Sequence, residues 1–214
     1  METCGFFIET FLEYIGKTCI NSYMKLRAKE SLKARLNKIK AIVTDVDGVL
    51  TDGGIYLSGD AEEMKRFSAK DGSMTELAQQ AGILVILVTG RKCQATIRRA
   101  KEMSADVFFK HDLGLAGKSF LEVAKEKYGI SQSEILYVGD DIGDISMMRK
   151  VGVSATPADG VAFAKSAADI ITKRAGGEGV IAEVIEALMK AQSTWNKSTE
   201  RFKVTTSSDF DAKI

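Results

Sequence analysis

From residue 41 onward, short apolar runs alternate with segments whose apolar residues recur at helical spacing. AIVTDV (41–46), ILVILVTG (83–90), ADVFF (105–109), EILYVGD (134–140), VSATP (153–157) and AADIITK (167–173) read as strands. ILVILV has no polar face at all, the mark of a strand in the middle of a parallel sheet. Between the strands, DGSMTELAQQAG (71–82), QATIRRAKEM (94–103), KSFLEVAKEKYG (118–129), DISMMRKVG (144–152) and EGVIAEVIEALMKAQ (178–192) read as helices, the first ending at Gly82. GGIYLSGDAEEMKRFSA (53–69) reads as a hairpin with its turn near Gly59 and Asp60. Repeated β–α units predict an α/β fold: a Rossmann-like, mostly parallel sheet with helices on both faces and a β-hairpin after the first strand.

The pattern divides the chain in three. Residues 1–37 form an expected helical extension, with Phe6, Phe7, Phe11, Tyr14 and Tyr23 at helical spacing before the basic stretch KLRAKESLKARLNKIK. Residues 38–192 are the repeating domain, and 193–214 an expected flexible arm with Trp195, Arg201 and Phe202 embedded in polar sequence.

Composition adds exclusions. The chain has 214 residues and a net charge of +1, with 45% hydrophobic and 28% charged residues. No basic excess points to nucleic acid, and no run is apolar enough to span a membrane. The N-terminus has no basic region before its apolar part, unlike a signal peptide. Three widely spaced cysteines, Cys4, Cys19 and Cys93, form neither a metal cluster nor a disulfide framework. Reduced thiols in a cytoplasm are the expectation.

In such sheets ligands bind beyond the carboxyl ends of the strands. Four of the predicted strand ends carry functional groups. They are Asp45 and Asp47; Thr89-Gly90-Arg91; a loop leading to Lys118; and Gly139-Asp140-Asp141 with Asp144. Any one could be turn chemistry, since Asp and Gly are common where strands end. Four on one edge are harder to dismiss.

The set DVDGVLT (45–51), Thr89-Gly90, Lys118 and GDDIGD (139–144) resembles the haloacid dehalogenase-like phosphatases across residues 38–192. The resemblance implies a Mg²⁺-dependent enzyme with Asp45 as nucleophile and Asp47 as acid/base. Thr89 and Lys118 would hold the phosphoryl group, and Asp45, Asp47, Asp140, Asp141 and Asp144 the metal. The chemistry is sound on its own terms. A carboxylate attacking a phosphate dianion needs its repulsion cancelled, and Mg²⁺ prefers oxygen ligands. The loop KHDLGLAGK is longer than the family's usual one, which makes Lys110 a weak rival to Lys118. His111, the only histidine, reads as a solvated loop residue. The spacings from Asp45 to Thr89 and from Thr89 to Lys118 leave no room for a cap domain.

Finer stretches narrow the resemblance. DVDGVLTDGGIY, KRFSAKDG, TGRKCQATIRRAKE, YVGDDIGD, VGVSATPADG and RAGGEGV are similar to the 3-deoxy-D-manno-octulosonate 8-phosphate (KDO 8-phosphate) phosphatases. This implies a homotetramer packed through the hairpin and a phosphorylated sugar acid as substrate. It places Ser68, Lys70, Asp71, Gly72, Arg91 and Arg99 around that substrate. Phosphatases of nonulosonate 9-phosphates are an alternative, but their pattern carries an acidic residue where this chain has Arg91. Another small phosphate, or a non-catalytic oligomerisation module, are further alternatives. The complete set of Asp45, Asp47, Thr89, Lys118 and Asp140 argues against a retired site.

Overall fold

A computed structural model of the chain describes residues 30–57, 59 and 63–200. Its centre is β1 (Ala41–Thr44), every residue of which is buried. β1 pairs in parallel with β4 (Leu84–Thr89) on one side and β6 (Ile135–Val138) on the other. β5 (Asp106–Phe109) extends one edge, and β7 (Val153–Thr156) and β8 (Ile170–Ile171) the other. The order is β5-β4-β1-β6-β7-β8, all parallel. The chain runs from β1 outward to β5, then returns past β1 to build β6, β7 and β8. That reversal opens a crevice at the carboxyl ends of β1, β4 and β6, where ligands bind in open α/β sheets.

Period-two alternation explains why these runs read as apolar on both sides. Ile42, Val85, Leu87, Leu136 and Val138 face one layer of helices: α1 (Leu32–Leu36), α2 (Ala69–Gln80), α3 (Gln94–Glu102) and α8 (Val180–Ala191). Ala41, Val43, Ile86, Val88, Ile135 and Tyr137 face the other, where Phe120, Ala124, Met148 and Ala164 cover them. Those four sit on α5 (Phe120–Tyr128), α6 (Ile145–Met148) and α7 (Ala162–Ala167). Burying side chains such as Ile185 and Leu188 completely contributes roughly 1.5–3 kcal/mol each. The hairpin follows β1 as β2 (Tyr56–Leu57) and β3 (Glu63–Met64), antiparallel and separate from the main sheet.

The ends differ from the sequence pattern in detail. α1 lies inside the stretch assigned to an extension, yet Leu36 is core. Arg35 donates to Asp169 at 2.7 Å and to the Gly152 carbonyl at 2.9 Å, tying α1 to the β7 side of the sheet. At the other end, α9 (Trp195–Thr199) is helical where an arm was expected to begin. Trp195 packs on the core beneath Lys190. The expected helices at 1–24, Asp60 at the hairpin turn, and Arg201 and Phe202 in the tail lie outside the described residues. Phe67, just past the hairpin, packs against the core. Lys110–Leu115, expected as loop, is helix α4. Among the described residues no helix is long and apolar enough to cross a membrane.

Candidate active site

The site is built on the turn that follows β1. Asp45 continues the strand, its N–H donating to the Val138 carbonyl at 2.9 Å. Its Oδ1 accepts the Val46 N–H at 2.8 Å, leaving Oδ2 to face the cleft. The N–H groups of Leu50 and Thr51 then converge on the Val46 carbonyl, and the buried Thr51 hydroxyl also contacts that carbonyl at 3.4 Å. Gly48 is required twice over. Its φ is +86°, and a Cβ there would lie 2.1 Å from Asp140 Oδ2. The turn is held from outside by RAGGEGV. Gly177 donates to the Val49 carbonyl at 3.0 Å, and a Cβ on Gly176 would lie 2.2 Å from the Gly48 carbonyl oxygen.

Three carboxylates converge here. Asp45, Asp140 and Asp144 each offer an oxygen within 4.8 Å of the others. Asp144 is fully buried and organises the loop. Its Oδ2 accepts the Asp140 and Asp141 N–H groups at 3.0 and 3.2 Å. Its Oδ1 accepts from the Tyr137 hydroxyl at 2.7 Å and from Lys110 at 3.1 Å. Asp140 Oδ1 is buried with no hydrogen-bond partner among the described residues. Burial first, then the neighbouring Asp144 and Asp45, push the Asp140 carboxyl up to about 7. Burial and Asp144 push Asp45 up to about 6, against the pull of Lys110 and the Val46 N–H. An unpartnered buried oxygen among mutually repelling carboxylates is what a hard divalent cation would relieve, so the donor set fits Mg²⁺. Asp141 lines the same cleft but lies outside the cluster: its carboxylate turns back to cap its own loop through the Ile142 N–H at 2.7 Å.

The lysine at this site is Lys110, not the expected Lys118. Lys110 opens α4 directly after β5 and stands 3.6 Å from Asp45 Oδ2 and 3.1 Å from Asp144. Burial opposes its charge, but Asp45 and Asp144 outweigh that and hold the ammonium above its usual range. Lys118 lies beyond α4 and pairs with Glu126 at 2.5 Å on the surface. The reason is the length of the loop. Coiled into a helix, residues 110–115 carry Lys118 past the cleft. Thr89 is buried at the end of β4. Its hydroxyl accepts the Arg91 N–H at 3.1 Å and keeps its own proton to give.

A cleft of about 610 Å³ joins Asp45, Asp47, Thr89, Arg91, Lys110 and Asp144. Two hairpin residues invisible to the sequence reading complete it. Lys65, its side chain only 1% exposed, ion-pairs with Asp47. Glu63 pairs with Arg91 at 2.7 Å. The signals available were the family-like stretch KRFSAKDG, which opens at Lys65, and the alternation of Glu63 and Lys65 across Met64, which puts both on one face of the hairpin.

The expected substrate loop is placed differently. Ser68 to Gly72 open α2, with Lys70 exposed. Asp71 is fully buried and accepts the Ala182 N–H at 2.8 Å, so it ties α2 to α8 and does not face the cleft. Burial pushes its carboxyl up to about 6. Arg99 donates to the Ser68 carbonyl at 2.8 Å and lies against Gly72, where a Cβ would meet its guanidinium at 2.9 Å. It lines a second cavity of about 970 Å³ next to the cleft, with Lys65, Lys92 and Arg98.

Known proteins share much of this sequence and this fold. The chain is 35% identical over 161 residues to the 3-deoxy-D-manno-octulosonate 8-phosphate phosphatase KdsC of Escherichia coli (strain K12), covering 74% of this chain and 84% of that one. This chain belongs to the haloacid dehalogenase-like KDO 8-phosphate phosphatase family. A profile of haloacid dehalogenase-like hydrolases matches residues 117–185. The Moraxella catarrhalis KDO 8-phosphate phosphatase, solved with magnesium, phosphate and KDO, superimposes with a TM-score of 0.73 at 32% identity. The match covers 79% of this chain and 97% of that one. The cobalt-bound Haemophilus influenzae phosphatase gives 0.70 at 29% identity, covering 82% and 98%. The family member described here is therefore a phosphoric monoester hydrolase.

Proposed function

We propose that this phosphatase hydrolyses a phosphorylated acidic sugar, 3-deoxy-D-manno-octulosonate 8-phosphate above others, with Mg²⁺ and through an aspartyl-phosphate on Asp45. The observation that carries it is the meeting of Asp45, Asp140 and Asp144 with Lys110 and Thr89 at one sheet edge, in a chain 35% identical to named phosphatases. Asp45, Asp140 and the Asp47 carbonyl would hold Mg²⁺, with Asp144 fixing their loop. The ion supplies charge cancellation between carboxylate and phosphate. Asp45 Oδ2 attacks phosphorus, forming one P–O bond as the bond to the sugar oxygen breaks. Asp47 gives its proton to that oxygen. It then takes a proton from the water that attacks phosphorus, releasing inorganic phosphate and restoring Asp45. Lys110 and Thr89 hold the phosphoryl oxygens throughout.

Arg91, cationic at the cleft mouth, suits a substrate carrying a carboxylate. Both candidate sugars carry one, but the nonulosonate pattern has an acidic residue where this chain has Arg91, and that difference favours the octulosonate. The intact carboxylate set favours an enzyme over an oligomerisation module. The proposed assembly is a homotetramer in the cytoplasm. Ile55, Leu57 and Met64 support the assembly, because they stand exposed on a hairpin with no cover from its own sheet. The test is phosphate release from a panel of sugar-acid phosphates with Mg²⁺, beside Asp45→Asn. The octulosonate ester should be turned over fastest, and Asp45→Asn should lose turnover and labelling by substrate phosphate. Substantial turnover by Asp45→Asn would refute the assignment.

A further inference from the structure

The hairpin brings into the cleft one polar group that hydrolysis leaves unused. Glu63 turns its carboxylate inward, only 15% exposed. Oε1 accepts from Arg91 at 2.7 Å. Oε2 is buried and has no hydrogen-bond partner among the described residues. A buried carboxylate oxygen left without a donor is costly, so this atom is an acceptor in want of an O–H or N–H. Its position says what kind. Glu63 lines both the acidic cleft and the adjoining basic cavity, at their junction. Two residues on, and on the same strand face, Lys65 holds Asp47, the carboxyl that serves the departing oxygen. A chain leaving the phosphorus on that oxygen therefore passes Glu63.

We propose that Glu63 is a specificity-determining residue. Oε1 fixes Arg91 at the cleft mouth. Oε2 accepts a hydrogen bond from a hydroxyl on the carbon next to the ester carbon of the substrate. The ligand class is the phosphomonoester of a polyol chain. The carboxylate repels a second anionic group at that carbon, so any acid group of the substrate lies farther along the chain. The proposal rests on the phosphatase reading above but not on which sugar is cleaved.

The test uses the full-length Mg²⁺-loaded protein, with Glu63→Gln and Glu63→Met checked by thermal melting. The substrates are octulosonate 8-phosphate and its 7-deoxy analogue, together with the simpler pair glycerol 3-phosphate and 3-hydroxypropyl phosphate. Wild type should prefer the hydroxylated member in kcat/KM by about 10–100-fold. Glu63→Gln keeps an oxygen for Arg91 and puts an uncharged NH₂ in place of Oε2. It should cut the preference about tenfold, and Glu63→Met should bring it below about threefold. An undiminished preference in the variants would overturn the proposal. So would an equal loss on both members of each pair, which would mark Glu63 as supporting only the fold. If wild type cleaves the glycerol ester but not the octulosonate, the sugar assignment fails while the Glu63 test still stands.

Discussion

Replacing Lys110 by Met, and Lys118 by Met in a second variant, separates two placements of the phosphate-binding cation. Lys110 Nζ stands 3.6 Å from Asp45 Oδ2, the oxygen proposed to attack phosphorus. At that distance a unit charge pair interacts by about 4–5 kcal/mol at an effective dielectric of 20. The Lys110 side chain is 39% exposed, so solvent screening removes about half of this. An interaction of that order made instead with the phosphoryl oxygens in the transition state, about 2–3 kcal/mol, corresponds to a fall in kcat of about 10²-fold. Lys118 pairs with Glu126 on the surface. Its removal should cost under about 1 kcal/mol of stability and change turnover less than about twofold. The assay is phosphate release at saturating Mg²⁺ and substrate, with melting curves to show that both variants fold. The reasoning fails if Lys118→Met loses about 10²-fold while Lys110→Met keeps more than half its rate. That result would mean helix α4 unwinds to bring Lys118 in.

Asp140→Ala should weaken Mg²⁺ binding, followed by calorimetry, far more than it lowers the melting temperature; equal Mg²⁺ affinity in variant and wild type would remove Asp140 from the metal site. Asp71 gives a pH test of stability. Its folded carboxyl, at about 6 against an ordinary 3.8, holds a proton that the unfolded chain has released between those values. That contribution is complete below about pH 4 and is lost as pH rises through about 6. It amounts to about 3 kcal/mol, so urea midpoints of Asp71→Asn should gain on wild type by that order from pH 4 to 7. A flat difference would refute the burial argument. Placing Asp at both Ile55 and Leu57 should break the assembly and lower activity together, read by light scattering beside phosphate release. A fully active monomer would show that the hairpin surface serves no assembly needed for catalysis.

Residues that act where they stand in the chain were legible. Asp45, Asp47 and Asp140 follow strands whose apolar runs announce themselves, and a residue just past a strand end has little freedom to be elsewhere. What the sequence concealed depends on how far a segment reaches. Residues 110–117 contain Lys, His and two Gly, and nothing local decides between an open loop and a helical turn. That choice alone exchanges Lys110 for Lys118. Glu63 and Lys65 read as ordinary hairpin polarity, because a two-stranded ribbon's path over the cleft is set by tertiary packing. Asp71 misled for the opposite reason. The family resemblance puts it in a substrate loop, but packing of α2 on α8 buries it against the Ala182 N–H. α7, six residues long, carries too short a pattern to declare itself.

The clamp of Gly176 and Gly177 on the turn after Asp45 sets the order in which this enzyme is completed. Asp45 and Asp47, the proposed nucleophile and acid/base, are synthesised early. Yet the carbonyls of Gly48 and Val49 meet their close-packed neighbours only when residues 176 and 177 arrive, more than 120 positions later. The central strand cannot set its catalytic turn earlier, because β6 and the loop bearing Asp140 and Asp144 also come late. A ribosome-bound or prematurely terminated chain therefore holds Asp45 and Asp47 without the framework that makes them reactive. The turn that carries Asp45 and Asp47 is thus completed only once residues 176 and 177 have packed against it.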